Sequence, residues 1–281
     1  MKKIGLLVMV FFITSVMQAQ IATPAPSPAA TLTQVVGLTD VAMEFSRPAM
    51  RGRTIFGDLV PYGKIWRTGA NMRTKISFST DVVVDGQTIK AGTYAIFSKP
   101  SEKSWEVYFY SEYQGGGAPA TWDESKVVAS TTVPVYELPV DIQSFTISID
   151  DVTDSSAAIG IMWEKTYVAI PFEVATDKAV MANIDKIMNG PDANDYYAAA
   201  VYYLSADKDI KKAKEWIDKA ISMNEKPQFW QLRQQSLIYA KAGDKKGAIE
   251  AAKKSLAAAE VAGNADYVKM NKDSLKEWGA K

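Results

Sequence analysis

The stretch Tyr167-Val-Ala-Ile-Pro-Phe-Glu-Val-Ala-Thr-Asp-Lys-Ala-Val-Met-Ala-Asn-Ile-Asp-Lys-Ile-Met188 changes its repeat length part-way. Up to Val174 it continues a strand-like pattern of period two. From Asp177 the spacing is helical, and Gly190-Pro191 stops it after Met188. The switch near Thr176 divides the chain into β-rich and helical parts. The fold class predicted is α+β and multidomain: an N-terminal all-β, sandwich-like domain over residues 31–175, then a C-terminal α-helical hairpin domain over residues 176–281.

Toward the N-terminus, Val41-Ala-Met-Glu-Phe45 and Lys75-Ile-Ser-Phe-Ser79 alternate apolar and polar residues. Asp85-Gly86 stands between two strand-like runs in Val82–Ile89, a strong hairpin signal. Thr93–Phe97, Trp105–Tyr110, Val127–Tyr136, Ser144–Ile149, Ala157–Trp163 and Tyr167–Val174 continue the pattern. About nine short strands separated by turn residues predict a sandwich rather than a closed barrel.

Toward the C-terminus, helices are expected over 192–206 and 209–224, 227–242 and 244–262, and 264–278, with acidic or amide N-caps and with Gly243, Gly263 and Gly279 at their ends. The two pairs resemble tetratricopeptide repeats. Leu232, Ser236, Tyr239, Ala248, Ala252 and Ser255 form the better copy, and Ala213, Ile217 and Ala220 the earlier one. Ala252 departs from the pattern, which more often has a large apolar residue there.

The first residues have another character. Met1-Lys2-Lys3 precedes an apolar run from Ile4 to Val16, and Ala19 offers a small residue before Gln20. This is the layout of a cleavable signal peptide over residues 1–19. Such a run spans about 20 Å, short of the ~30 Å hydrocarbon core of a membrane. No later segment is long enough to span, and the lack of cysteine removes a lipid-anchor site. The expected location is the periplasm or the outside of the cell. Residues 20–30, with prolines at every second position in Pro24-Ala-Pro-Ser-Pro28, are expected to form an extended, mobile spacer.

The chain has no histidine and no cysteine. That removes Ser-His-Asp and Cys-His catalysis, the HExxH metalloprotease site, and the imidazole and thiolate ligands of zinc. No transition metal and no cofactor is expected. Residues 20–175 carry 12 basic and 17 acidic side chains, a net −5, and residues 176–281 carry 18 and 15, a net +3. Neither charge is that of a nucleic-acid binder, which shows a concentrated basic face.

Arg51-Gly-Arg-Thr-Ile-Phe-Gly-Asp-Leu-Val-Pro-Tyr-Gly-Lys-Ile-Trp-Arg-Thr-Gly-Ala-Asn71 closely resembles a block of a bacterial family known as domain of unknown function 2911. Ala91–Phe97 and Met162–Phe172 resemble further blocks of it. The resemblance covers roughly residues 30–175. It implies an exported, mostly β domain, often followed by helices, and it transfers no catalytic residues.

The first block is chemically unusual. Between Arg47 and Lys75 stand seven basic residues and one acid, Asp58. Arg51, Arg53, Arg67 and Arg73, with Asn71 and Trp66, are candidate ligands of an anion or sugar acid, because the planar guanidinium fork matches carboxylate and phosphate. The competing reading is structural: the arginines bond loop carbonyls and acids of the same domain, while Trp66, Phe56 and Tyr62 plug the end of the sandwich. Gly115-Gly-Gly117 lacks the Gly-Lys-Ser/Thr ending of a phosphate loop and reads as a flexible connection. Asp150, Asp151 and Asp154 lack the spacing of a calcium loop. Adjacent carboxylates such as Asp123-Glu124 point to opposite faces of a strand, so adjacency makes no acid/base pair. In the helical part, Tyr202, Trp230 and Arg233 would face a peptide groove if the repeat alignment holds, or pack against a flanking helix.

These readings favour an exported, non-catalytic binding or interaction module of the bacterial cell envelope, its partner an unspecified ligand or envelope protein. The alternative is a hydrolase acting on extracellular carbohydrate, which needs two converging carboxylates, one with a raised pKa.

Overall fold

A computed structural model describes residues 23–188 and 190–280. The expected signal peptide lies outside the described residues. The chain divides into two compact units, one ending at Thr176 and the other starting at Asp177.

The first unit contains strands β1 (Ala29–Val36), β2 (Thr39–Ser46), β3 (Lys75–Phe78), β4 (Val82–Val84), β5 (Gln87–Ile89), β6 (Gly92–Pro100), β7 (Ser104–Tyr110), β8 (Val127–Pro134), β9 (Tyr136–Asp150) and β10 (Ser156–Val174). They form a six-stranded sheet of order β1-β2-β3-β6-β7-β8 and a four-stranded sheet of order β5-β4-β10-β9. Every pairing between these strands is antiparallel. Alternation sets the inner faces: on β2, Thr39, Val41, Met43 and Phe45 are buried while Asp40 and Glu44 are exposed. Inner residues of both sheets join in one core that includes Met43, Ile76, Trp105, Phe109, Phe145, Ile161 and Trp163. The hairpin expected at Asp85-Gly86 joins β4 to β5, with φ of 49° and 73°, the left-handed pair that a two-residue hairpin turn requires.

Two expectations change. β10 is one strand where the sequence suggests two, because β-bulges at Glu164 carry the chain through its polar middle. Glu164 has φ of 55°, and the bulge aims its carboxylate at a distant loop, where it accepts the amides of Ile55 and Phe56 at 3.3 Å each. The end of the spacer is not free either. The carbonyls of Pro26, Ser27 and Pro28 accept bonds from the Arg51 side chain, the Asn71 side chain and the Arg47 amide. A long irregular loop carries many polar groups, and these meet the neighbouring chain.

That loop, residues 47–74, connects β2 to β3. Trp66 exchanges backbone bonds with Ser98 at 2.7 and 2.9 Å, so the loop runs alongside the end of β6 before turning back.

The second unit contains α1 (Thr176–Ile187), α2 (Ala193–Ser205), α3 (Ile210–Ser222), α4 (Phe229–Lys241), α5 (Lys245–Val261) and α6 (Ala265–Glu277). Asp192, Asp209, Asp244 and Asn264 cap α2, α3, α5 and α6 through their side chains. Short turns join α2 to α3 and α4 to α5. Small buried residues, among them Ala199, Ala200, Ala213 and Ala220 in one pair and Ser236, Ala248, Ala252 and Ser255 in the other, let the helices approach closely. Gly247 shows how closely: a Cβ there would lie 2.5 Å from the Tyr239 ring. No helix among the described residues is long and apolar enough to cross a membrane.

Candidate functional site

Most of the basic loop is internally satisfied. Arg53 donates to the carbonyls of Met50 and Ala49 at 2.9 and 2.7 Å. Arg51 donates to Pro26, and Asn71 to Ser27 and to the Ser46 hydroxyl. Arg73 is 6% exposed and makes three kinds of bond: its Nη1 to the Glu112 carbonyl at 2.5 Å and the Glu112 carboxylate at 3.1 Å, its Nε to the Gly117 carbonyl at 3.2 Å, and its amide to the Gly115 carbonyl at 3.1 Å. The Gly115–Gly117 run is therefore a seat for Arg73. A Cβ at Gly115, whose φ is +107°, would stand 3.7 Å from the guanidinium.

Trp66 turns inward. It is surrounded by Phe56, Trp105, Phe145 and Trp163, with ring centroids 5.6 to 6.2 Å away. Its indole N–H donates to Gly69. Of the expected plug, Phe56 and Trp66 take their places, but Tyr62 is 40% exposed and lies over Gly57.

Arg67 is the exception. Its Nε is buried without a hydrogen-bond partner, and it has no ion pair or ring contact among the described residues. Trp66 bridges to Ser98 and points inward, and alternation along the chain turns Arg67 toward the outer side of the same sheet. That face carries a second aromatic group. Phe97, Tyr108 and Tyr110 come from β6 and β7, with Phe97 and Tyr108 cross-strand partners, and Trp122 closes over them at 5.5, 5.2 and 4.8 Å. Arg73 lies over the Phe97 ring at 5.5 Å. One row further along, Lys99 pairs with Glu106 at 2.8 Å, and the Tyr108 hydroxyl donates to the same carboxylate at 2.6 Å. The Lys99 and Tyr108 bonds hold Glu106 below the usual carboxylate range. Burial, then the Glu106 bond, pushes the Tyr108 phenol far up. Charge and proton are thus locked in place around neutral pH.

The sequence signal for this second group was present. In Trp105-Glu-Val-Tyr-Phe-Tyr110 both phases of the alternation carry aromatic rings, so both faces of the strand are covered.

The β unit also has a groove of ≈ 540 Å³ at its side, lined by β4, β8 and β10 and including Asp85, Thr132, Tyr136 and Glu173. In the helical unit two of the three candidates are bonded to a neighbouring helix. The Tyr202 hydroxyl donates to Asp177 on α1 at 2.8 Å, and Arg233 donates to Ser274 on α6 at 3.0 Å. Trp230 is 41% exposed, edge-on to Phe229. Burial lowers the Arg233 pKa.

Seven carboxylates are shifted from their ordinary values, and all are lowered by hydrogen bonds: Glu106, Glu112, Asp123, Asp177, Asp207, Asp244 and Asp273. A glycosidic general acid needs the opposite shift. Asp150 accepts from Ser148 and from Tyr167, whose phenol is pushed up to about 12 by burial and then by that bond. No group of three or more acidic side chains gathers for a metal among the described residues.

Residues 27–172 match the family described as "Protein of unknown function (DUF2911)". No curated protein and no solved structure matches the chain.

Proposed function

Since the chain belongs to the DUF2911 family of proteins of unknown function, which brings no activity with it, we propose a function from the site itself: the β unit is a non-catalytic binding module of an exported protein, and it takes a carboxylate-bearing saccharide at Arg67. The observation that carries this is the contrast within one loop. Arg47, Arg51, Arg53 and Arg73 are each bonded to the fold, whereas the Arg67 side chain makes no bond among the described residues and keeps an unmet Nε. The Nη groups of the same guanidinium also make no bond among the described residues and are not among its buried unmet atoms, so they are what a ligand oxygen can reach. The guanidinium fork suits a planar carboxylate, and the partly buried rings of Tyr108 and Trp122 on the outer face suit stacking against the C–H face of a sugar. The lowered carboxylates speak for binding over hydrolysis.

The test is calorimetric titration of the full chain with oligogalacturonate and with its methyl ester, alongside an assay for new reducing ends. The acid form should bind, and Arg67→Gln should weaken it about ten- to a hundredfold, the size of a lost charge-assisted bond. Equal binding of the ester, or release of reducing ends, overturns the reading.

A further inference from the structure

β8 is the outermost strand of the six-stranded sheet, and the Gln87 side chain closes on its free edge. Gln87 Nε2 donates to the Ser130 carbonyl at 2.6 Å, and Gln87 Oε1 accepts the Ser130 amide at 3.2 Å. One side-chain amide thus meets both peptide groups of one residue, as a residue of an added antiparallel strand would. The bonds also fix which way β8 points. Ser130 turns its peptide groups away from β7, while Val135, of opposite parity, donates back to Lys103 at 2.9 Å. Thr132 has the parity of Ser130, so its N–H and C=O also face outward. They have no bond outside the strand pairing among the described residues.

Thr132 lines the ≈ 540 Å³ groove. Pro171 and Phe172 give the groove apolar lining, the 53% exposed Tyr136 supplies a ring, and Asp85 and Glu173 supply two acids. Among the described residues no lysine or arginine lines it. The Asp85 carboxylate is engaged by the Thr131 hydroxyl at 3.2 Å. The Glu173 side chain is exposed and makes no hydrogen bond or ion pair among the described residues.

We propose that this groove takes an extended basic peptide segment, which pairs with Thr132 as an added strand and sets a lysine or arginine against Glu173, Asp85 and the Tyr136 ring. Charge complementarity chooses the side chain, since two acids and an aromatic face attract a cation. The open peptide groups of Thr132 choose an extended backbone over a small cation, which would leave them unmet. The pairing is short. Gln87 already fills the place at Ser130, and Pro134 has no N–H to give. Selectivity therefore rests on side chains as much as on the backbone.

The site is independent of Arg67, and the experiment keeps the two apart. The full chain is titrated by fluorescence anisotropy with a labelled, end-blocked Val-Lys-Val-Lys-Val peptide. Parallel arms use the glutamate counterpart, two versions N-methylated at odd or at even residues, and spermidine as competitor. The lysine peptide should bind. The glutamate peptide and one of the two N-methylated versions should bind at least about tenfold more weakly, as should the parent peptide to Glu173→Lys protein with an unchanged unfolding midpoint. Arg67→Gln should change nothing. Absence of binding, equal binding of the glutamate peptide, or no loss with either N-methylated version overturns the proposal. So does displacement by spermidine at the peptide's own affinity, which would make the groove a site for small cations.

Discussion

β6 and β7 carry an aromatic group on each face, and the two are built differently. On the inner face, Trp66, Trp105, Trp163, Phe56 and Phe145 pack mostly edge to face, with Trp66 and Trp163 stacked. On the outer face, Phe97, Tyr108, Tyr110 and Trp122 pack together with Arg73 over the Phe97 ring and the Lys99–Glu106 pair in the next row. The same strands and similar rings therefore give a core on one side and a polar-rimmed cluster on the other. What differs is the cover: a second sheet inside, a loop with its own charges outside. A loop must satisfy its backbone through side chains, which brings arginines and carboxylates up to the rings.

The comparison makes graded predictions. Trp163→Ala on the inner face should cost about 3–5 kcal/mol in chemical denaturation, the usual price of an aromatic cavity. A cost equal to that of Trp122→Ala, which faces the loop and is only partly buried, would erase the distinction between the faces. Arg73→Ala should come next, at about 2–4 kcal/mol, because it leaves the Glu112 and Gly117 carbonyls without their donor and unseats residues 112–117. Arg67→Ala should stay within about 0.5 kcal/mol of the parent, since it breaks no bond among the described residues. A large loss there would assign Arg67 to the fold and retire the acidic-ligand site. The smallest effect is that of acid. The folded pKa of Glu106 lies below its ordinary value of 4.5, so its contribution is complete above that value and is lost as pH falls through the folded pKa. Protection factors at residues 104–108, corrected for the intrinsic pH dependence of exchange, should therefore fall below about pH 4.5.

Much of this was readable in the sequence, and for local reasons. The turn at Asp85-Gly86 and the change of period before Asp177 are each written within a few residues. The continuous β10 was not readable, because Glu164-Lys-Thr166 looks like a break and only pairing with β9 shows a bulge. The arginines mark the same limit more sharply. Arg51, Arg53, Arg67 and Arg73 look alike in sequence. What separates them is where their acceptors fall: Pro26 lies 25 residues earlier for Arg51 and Glu112 lies 39 residues later for Arg73. Arg67 stands out only once those other contacts have been made. The helical candidates Tyr202 and Arg233 rested on a repeat alignment, which does not reveal the bond that each makes to a neighbouring helix.

The bulge at Glu164 also bears on the order of folding. Its carboxylate holds Ile55 and Phe56 across 109 and 108 positions of chain. A chain emerging from its N-terminus presents the 47–74 loop long before it presents the residue that clamps it. Contacts so distant in sequence form late and slow the whole reaction. The loop would then be the last part of the β unit to mature. Pulse-labelled refolding should show the amides of Ile55 and Phe56 gaining protection after those of the β6–β7 hairpin, and with Glu164→Ala the hairpin should close on time while those two amides stay open.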